Sequence, residues 1–152
     1  MTTWSVITIL ACANLAVASK TGKLPDIKLP LHEHPTLVKM VEVNNQLRQR
    51  NGLPPQKVSP ELTLLAQRHA EWMASSGNFA HNYNHAYPEI IYWGAGTIDG
   101  AFSGWMNSGA HRGIIMSRNT AVGYGYSVSS NGTPYWCGVF GNVAEKKSAD
   151  GT

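Results

Sequence analysis

Trp105-Met106-Asn107-Ser108-Gly109-Ala110-His111-Arg112 is the stretch in which a helical pattern runs out and a histidine follows the break at once. Ala101, Phe102, Trp105 and Met106 recur at helical spacing, so the stretch ends a packed helix and sets an imidazole just beyond it. An imidazole at that address is held by rigid packing yet can face a cleft, and its near-neutral pKa suits metal binding or proton transfer. A lone histidine at a helix end is more often a surface or capping residue, so a functional role for His111 depends on partners arriving from elsewhere in the chain.

A second histidine has the same address. Ser59-Pro60-Glu61 opens a helix with a hydroxyl cap, a proline in the first turn and an acid at the positive end of the helix dipole. Leu62, Leu65, Ala66, His69 and Met73 form its buried stripe, and Gly77 stops it. Asn78-Phe79-Ala80-His81 follows that stop, so His81 too lies just past a packed helix. His69, on the apolar stripe, reads as a hydrogen-bonded core residue rather than a ligand.

An earlier helix begins near Thr36, carries Leu37, Met40, Val41, Asn44 and Leu47 on one side, and closes after Arg50 at Asn51-Gly52. Ile90-Ile91-Tyr92 reads as a short strand with Glu89 at its entrance, and Thr97 as the cap of the helix that ends near Asn107. Beyond His111, residues Gly113 to Met116 read as a short turn. Ala121 to Val128 and Pro134 to Val143 then alternate as two strands, joined through Asn131-Gly132, a strong hairpin signal. Alternation puts Cys137 on the opposite strand face from Trp136 and Phe140, where it should be a buried, inert thiol. Asn131-Gly132-Thr133 is also a glycosylation sequon.

The uncharged apolar run from Val6 to Val17 is too short to span a bilayer and ends in the small-x-small pattern Ala16-Val17-Ala18. Residues 1–18 therefore read as a secretory signal peptide, although its start lacks the usual Lys or Arg. Residues 19–35, with Pro25, Pro30 and Pro35, read as an extended leader in which His32 and His34 are solvated; residues 36–143 read as one domain and 144–152 as a polar tail. Removing 18 of the 152 residues leaves 134, enough to bury a core, and leaves one cysteine, so no intramolecular disulfide is expected. Twelve basic and nine acidic residues give a net charge of +3 with no basic stripe, which argues against nucleic-acid binding.

Seven motifs occur in an order that resembles the CAP superfamily, the SCP-like domain of cysteine-rich secretory proteins, venom antigens and plant pathogenesis-related proteins. They are Asn44-Asn45-x-x-Arg48 with Gly52-Leu53-Pro54, the helix Leu62 to Met73, Phe79-Ala80-His81, Glu89-Ile90-Ile91, Trp105-Met106-Asn107-Ser108-x-x-His111-Arg112, Val122-Gly123-Tyr124-Gly125 and Tyr135-Trp136-Cys137-Gly138-Val139-Phe140-Gly141. The resemblance covers roughly residues 36–141 and is strongest to compact, disulfide-free bacterial members. It implies an α+β fold, a three-layer α-β-α sandwich with a small antiparallel sheet between helices. It also implies a cleft lined by two histidines and acids able to hold a divalent metal, and by position His81, Glu89 and His111 match these residues. Ser108 stands where animal and plant members often carry a second glutamate; Pro88 and Ile90 replace the usual Gly and Asn around Glu89, and Ala110 replaces the Gly before His111.

Two imidazoles and one carboxylate could make a three-ligand zinc site with an open position, but Ser108 is a poor substitute for the missing general base. The expectation is therefore a secreted, monomeric binding module, with no transmembrane segment after signal cleavage. Its cleft of His81, Glu89, Ser108 and His111 would bind zinc weakly, and its extracellular ligand would be a lipid, a sterol or a protein, as the resemblance implies. The competing expectations are a polar network of His81, Glu89 and His111 that ties helix ends to the sheet, and a metal-dependent hydrolase, a peptidase or esterase using the same cleft. If the leader is cleaved as its pattern indicates, N-terminal sequencing of exported protein will begin at Ser19; intact Met1 to Ala18 on cytoplasmic protein would contradict this.

Overall fold

The computed structural model of the protein describes residues 30–142. The stretch read as a signal peptide, most of the one read as a leader, Val143 and the stretch read as a polar tail lie outside the described residues. The elements in order are α1 (Pro35–Arg50), β1 (Lys57–Val58), α2 (Pro60–Ser76), β2 (Glu89–Trp93), α3 (Ile98–Asn107), α4 (Gly109–Ile115), β3 (Ala121–Val128) and β4 (Pro134–Gly141). The strands form one sheet in the order β1-β3-β4-β2. Among the described residues no helix is long and apolar enough to cross a membrane.

The α-β-α sandwich follows from strand alternation. On β4, Trp136 and Phe140 point into a core that holds Leu37 and Met40 of α1 and Phe102 and Trp105 of α3. Tyr135, Cys137 and Val139 point the other way, onto Leu62, Ala66 and Met73 of α2. Ile90 and Ile91 of β2 divide in the same manner. Each strand face thus has its own helix layer, which is why the strands carry apolar residues on both sides.

The α2 layer sits directly on backbone. A Cβ at Gly123 would collide with the main chain at Leu62 and Thr63, and one at Gly125 with the main chain at Ala66 and Gln67. Only glycine lets the helix settle this close to a strand. The helix also completes the sheet chemically. Strand β1 covers β3 only at Ala121 and Val122, and farther along Gln67 reaches the open edge, accepting from Tyr126 N at 3.0 Å and donating to Tyr126 O at 2.9 Å. A side-chain amide there does the work of a missing strand residue.

Sequence signals set most of the boundaries. Ser59 Oγ accepts from Leu62 N at 3.3 Å, Pro60 is the first residue of α2, and Gly77 ends it in the left-handed region at φ 71°. Thr97 Oγ1 accepts from Gly100 N at 3.1 Å to start α3. The β3–β4 hairpin is antiparallel and turns at Gly132, φ 87°. As expected, Cys137 is buried and unbridged.

Four expectations need correction. The sheet is mixed rather than wholly antiparallel, because the two residues of β1 run parallel to β3. The strand is too short to show any periodicity. Gly113 to Met116 do not form a separate turn: the chain restarts as α4 at Gly109, directly after the Ser108 break, so His111 is the third residue of a helix rather than a residue beyond a helix end. His34 is not a solvated leader residue; it is buried, and its Nδ1 accepts from Thr36 N at 3.3 Å as the cap of α1. The leader accordingly enters the fold at Leu31–Glu33, a single 3₁₀ turn with Leu31 against the core, and α1 starts at Pro35 rather than Thr36.

The seating of α2 predicts a contrast between two glycine substitutions. Gly123→Ala should destabilise the domain by about 3 kcal/mol or more, since rigid backbone rather than a flexible side chain must move. Gly113→Ala, in α4 with nothing near the new methyl, should be neutral or stabilise by roughly 0.5–1 kcal/mol. Urea unfolding of both variants measures the difference; equal effects would refute the backbone contact.

Candidate functional site

Glu89 is the first residue of β2 and is buried, with its side chain 4 % exposed. A carboxylate in that position needs partners, and four side chains surround it. The loop leaving α2 at Gly77 brings His81, whose Nδ1 donates to Glu89 Oε1 at 2.9 Å, and Asn82, whose backbone N–H donates to the same oxygen at 3.0 Å. His69, from the buried stripe of α2, donates from Nε2 to Ala80 O at 2.8 Å, with that nitrogen 3.7 Å from Oε1. His85 Nε2 stands 3.5 Å from Oε2, without hydrogen-bond alignment. Cys137 Sγ, across the sheet on β4, donates to Oε2 at 3.8 Å.

These contacts fix the roles of Cys137, His69 and His81. The Cys137 thiol is pushed well above its ordinary pKa, first by burial and then by the charge of Glu89 and the hydrogen bond to it. It therefore stays a protonated donor and not a nucleophile. His69 is the hydrogen-bonded core residue its place on the stripe suggested, and it stacks on Trp72 with ring centroids 5.3 Å apart. The His81 side chain is 40 % exposed, so with Nδ1 turned onto Glu89 the ring presents Nε2 outward.

His111 and Ser108 are placed differently. His111, on α4, lies within electrostatic range of His81. Its pKa is lowered, mainly by burial and secondarily by the charge of His81. Ser108 ends α3 and begins α4 through its backbone, accepting from Arg112 N at 2.9 Å, and its hydroxyl makes no capping bond. The structure thus brings His81 and Glu89 into contact and His111 near His81, whereas Ser108 serves the turn between two helices. His85 and Cys137 join the cluster unannounced. A signal for each exists in hindsight: His85 lies four residues before Glu89, and Cys137 shares a strand face with Val139, the β4 partner of Glu89.

A zinc centre ligated by His81, Glu89 and His111 together does not fit this geometry. Oε1 of Glu89 is already occupied by two donors and Oε2 faces His85 and Cys137, so the carboxylate orients His81 rather than ligating beside it. Among the described residues, no group of three or more His, Cys, Asp or Glu side chains could hold a metal ion. His81 and His111 lie within electrostatic range of each other. Beside His81 a depression of about 400 Å³ is walled by Arg68, Trp72, His81, Asn82 and Tyr83, with Tyr83 almost fully exposed.

A family model described as the cysteine-rich secretory protein family, CAP, matches residues 41–140. Comparison with curated proteins gave no match. Among solved structures, an outer surface protein of Borrelia burgdorferi superposes with a TM-score of 0.64 at 14 % identity, covering 70 % of this chain and 92 % of that one. An extracellular protein containing an SCP domain from Bacillus anthracis gives 0.59 at 18 %, covering 71 % and 40 %. A cysteine-rich secretory protein of Staphylococcus aureus gives 0.55 at 19 %, covering 69 % and 37 %. This chain therefore spans well under half the length of the latter two. At such identities the structural likeness concerns the fold.

The lowered pKa of His111 makes stability depend on pH. The folded protein holds a proton on this ring less readily than the unfolded chain, so the contribution of His111 is complete above the ordinary value of 6.5 and is lost as pH falls through the lower folded value. Melting curves from neutral to acid pH should show His111→Gln losing less stability below 6.5 than the parent; parallel profiles would show that the ring is not perturbed.

Proposed function

Since the chain belongs to the cysteine-rich secretory protein (CAP) family, we propose that it acts as a secreted, single-domain extracellular binding module, not as a hydrolase. The observation that carries this reading is the commitment of Glu89. General-base work needs a carboxylate free to take a proton from water or substrate. Glu89 instead receives His81 and Asn82 on one oxygen and faces His85 and Cys137 with the other. Ser108 supplies no second acid.

In this reading His81 and His111 hold a divalent ion weakly through their outward nitrogens, with water or ligand completing the shell and Glu89 fixing the His81 ring. A bound ion would supply Lewis acidity toward an oxygen-bearing ligand. Glu89 sets the tautomer of the His81 ring. Export is supported by the apolar run at Val6 to Val17 and by the structural relatives, an outer surface protein and an extracellular protein among them. The ligand class that family resemblance favours is a lipid, a sterol or a protein. The hydrolase reading has one point in its favour, the lowered pKa of His111, which leaves a neutral base near neutral pH.

Zinc titration separates the two. Zinc should raise the melting temperature at neutral pH, by mass action, and lose the effect as the histidines protonate. His81→Ala and His111→Ala should each remove the gain while the fold persists. No peptide or ester hydrolysis above background should accompany binding. Zinc-dependent hydrolysis that disappears in both Glu89→Gln and His111→Ala would establish the enzyme instead, and a melting temperature indifferent to zinc would end the metal proposal.

A further inference from the structure

A cavity of about 630 Å³ lies at the opposite edge of the sheet from Glu89, where the end of α1, the connection into β1 and the segment entering β3 meet. Leu53, Pro54 and Pro55 make its apolar wall, and none of the residues lining it is acidic. Arg48 lines it from α1 although only 1 % of the residue is exposed. Its Nε donates to Pro54 O at 3.0 Å, and its Nη1 donates to Ile115 O at 2.7 Å and Ser117 O at 2.8 Å. All three acceptors are neutral carbonyls. Among the described residues Nη2 has no hydrogen-bond partner and no carboxylate pairs with the guanidinium.

A buried cation solvated by carbonyls alone keeps its full charge, and the low-dielectric wall strengthens its attraction for an anion. Arg118 stands on the same cavity, exposed and without a hydrogen bond or ion pair among the described residues. Lys57, also on the wall, has a partner of its own and is not counted among the anion's ligands. Arg118 offers paired N–H donors of the geometry a carboxylate accepts, and Arg48 adds the N–H groups of Nη2, the nitrogen that its carbonyl contacts leave free. The prolines and Leu53 favour an apolar body over a bare ion, and a cavity of this volume is in the usual range for a small organic ligand.

We propose that the cavity between Arg48, Leu53–Pro55 and Arg118 binds a small organic anion, a carboxylate headed by the two arginines with its apolar body against the proline wall. Arg48 anchors the headgroup from a fixed position, because three carbonyls hold its guanidinium. Arg118 closes over it from the surface. The site shares no residue with the His81–Glu89 cluster, so its occupancy is independent of the metal reading.

Calorimetric titration of the full chain at low salt with octanoate, 1-octanol and acetate tests the two halves of the recognition. Octanoate should bind, with octanol and acetate weaker by roughly tenfold or more, the size expected for losing a charge-assisted contact or the apolar body. Backbone amide resonances should shift at Leu53, Gln56 and Lys57 and from Ser117 to Thr120. Arg118→Glu should abolish binding, and Arg118→Lys should leave it weakened, since an ammonium keeps the charge but not the paired donors; both are exposed-site changes that leave the melting temperature intact. Octanol binding as tightly as octanoate, acetate binding as tightly as octanoate, unchanged affinity in Arg118→Glu, resonance shifts confined to the His81–Glu89 cluster, or no heat with octanoate would each overturn the proposal.

Discussion

The main chain of α2 rests on the main chain of β3, and the rest of the molecule is arranged around that contact. With Gly123 and Gly125 beneath it, the helix lies closer to the sheet than any side chain would allow. This depth lets Gln67 reach the exposed edge of β3 and pair with both backbone groups of Tyr126. It also brings His69 down to the end of the sheet, beside Ala80 O and Glu89. A helix one methyl higher would lose the amide bridge and the histidine together.

The polar cluster depends on the same placement. Gly77 turns the chain out of α2 so that the next loop crosses the end of β2, where it delivers His81 and Asn82 to Glu89. The carboxylate becomes the hub of groups drawn from α2, the loop and β4. Burying an acid is costly unless its oxygens are occupied, and here the occupants come from three separate elements. The cluster therefore joins helix, loop and sheet.

Local chemistry made much of this legible in the sequence. Ser59-Pro60 and Gly77 marked both ends of α2, Thr97 the start of α3, and Asn131-Gly132 the hairpin, because caps and turns are decided by adjacent residues. The meeting of His81 with Glu89 was also readable, through family resemblance rather than spacing. What escaped reading depends on tertiary placement. Lys57–Val58 pair in parallel only because β3 passes beside them, and two residues between Pro54-Pro55 and Pro60 carry no period. Gly109 and Gly113 concealed α4, a helix sustained by burying Ile115 rather than by propensity. The parts of His85 and Cys137 follow from the sheet register and the fold of one loop. Glu89 was expected as a ligand because its residue type permits it, and only the positions of its neighbours show that its oxygens are already engaged.

Glu89 is a committed acceptor that fixes the His81 ring, and long-range proton–nitrogen NMR of the neutral histidine side chains tests this directly. His81 should carry its proton on Nδ1, toward Glu89, and Glu89→Gln should shift the ring toward the mixed tautomers of a free imidazole. A proton resident on Nε2 in the parent protein, with no response to Glu89→Gln, would contradict it.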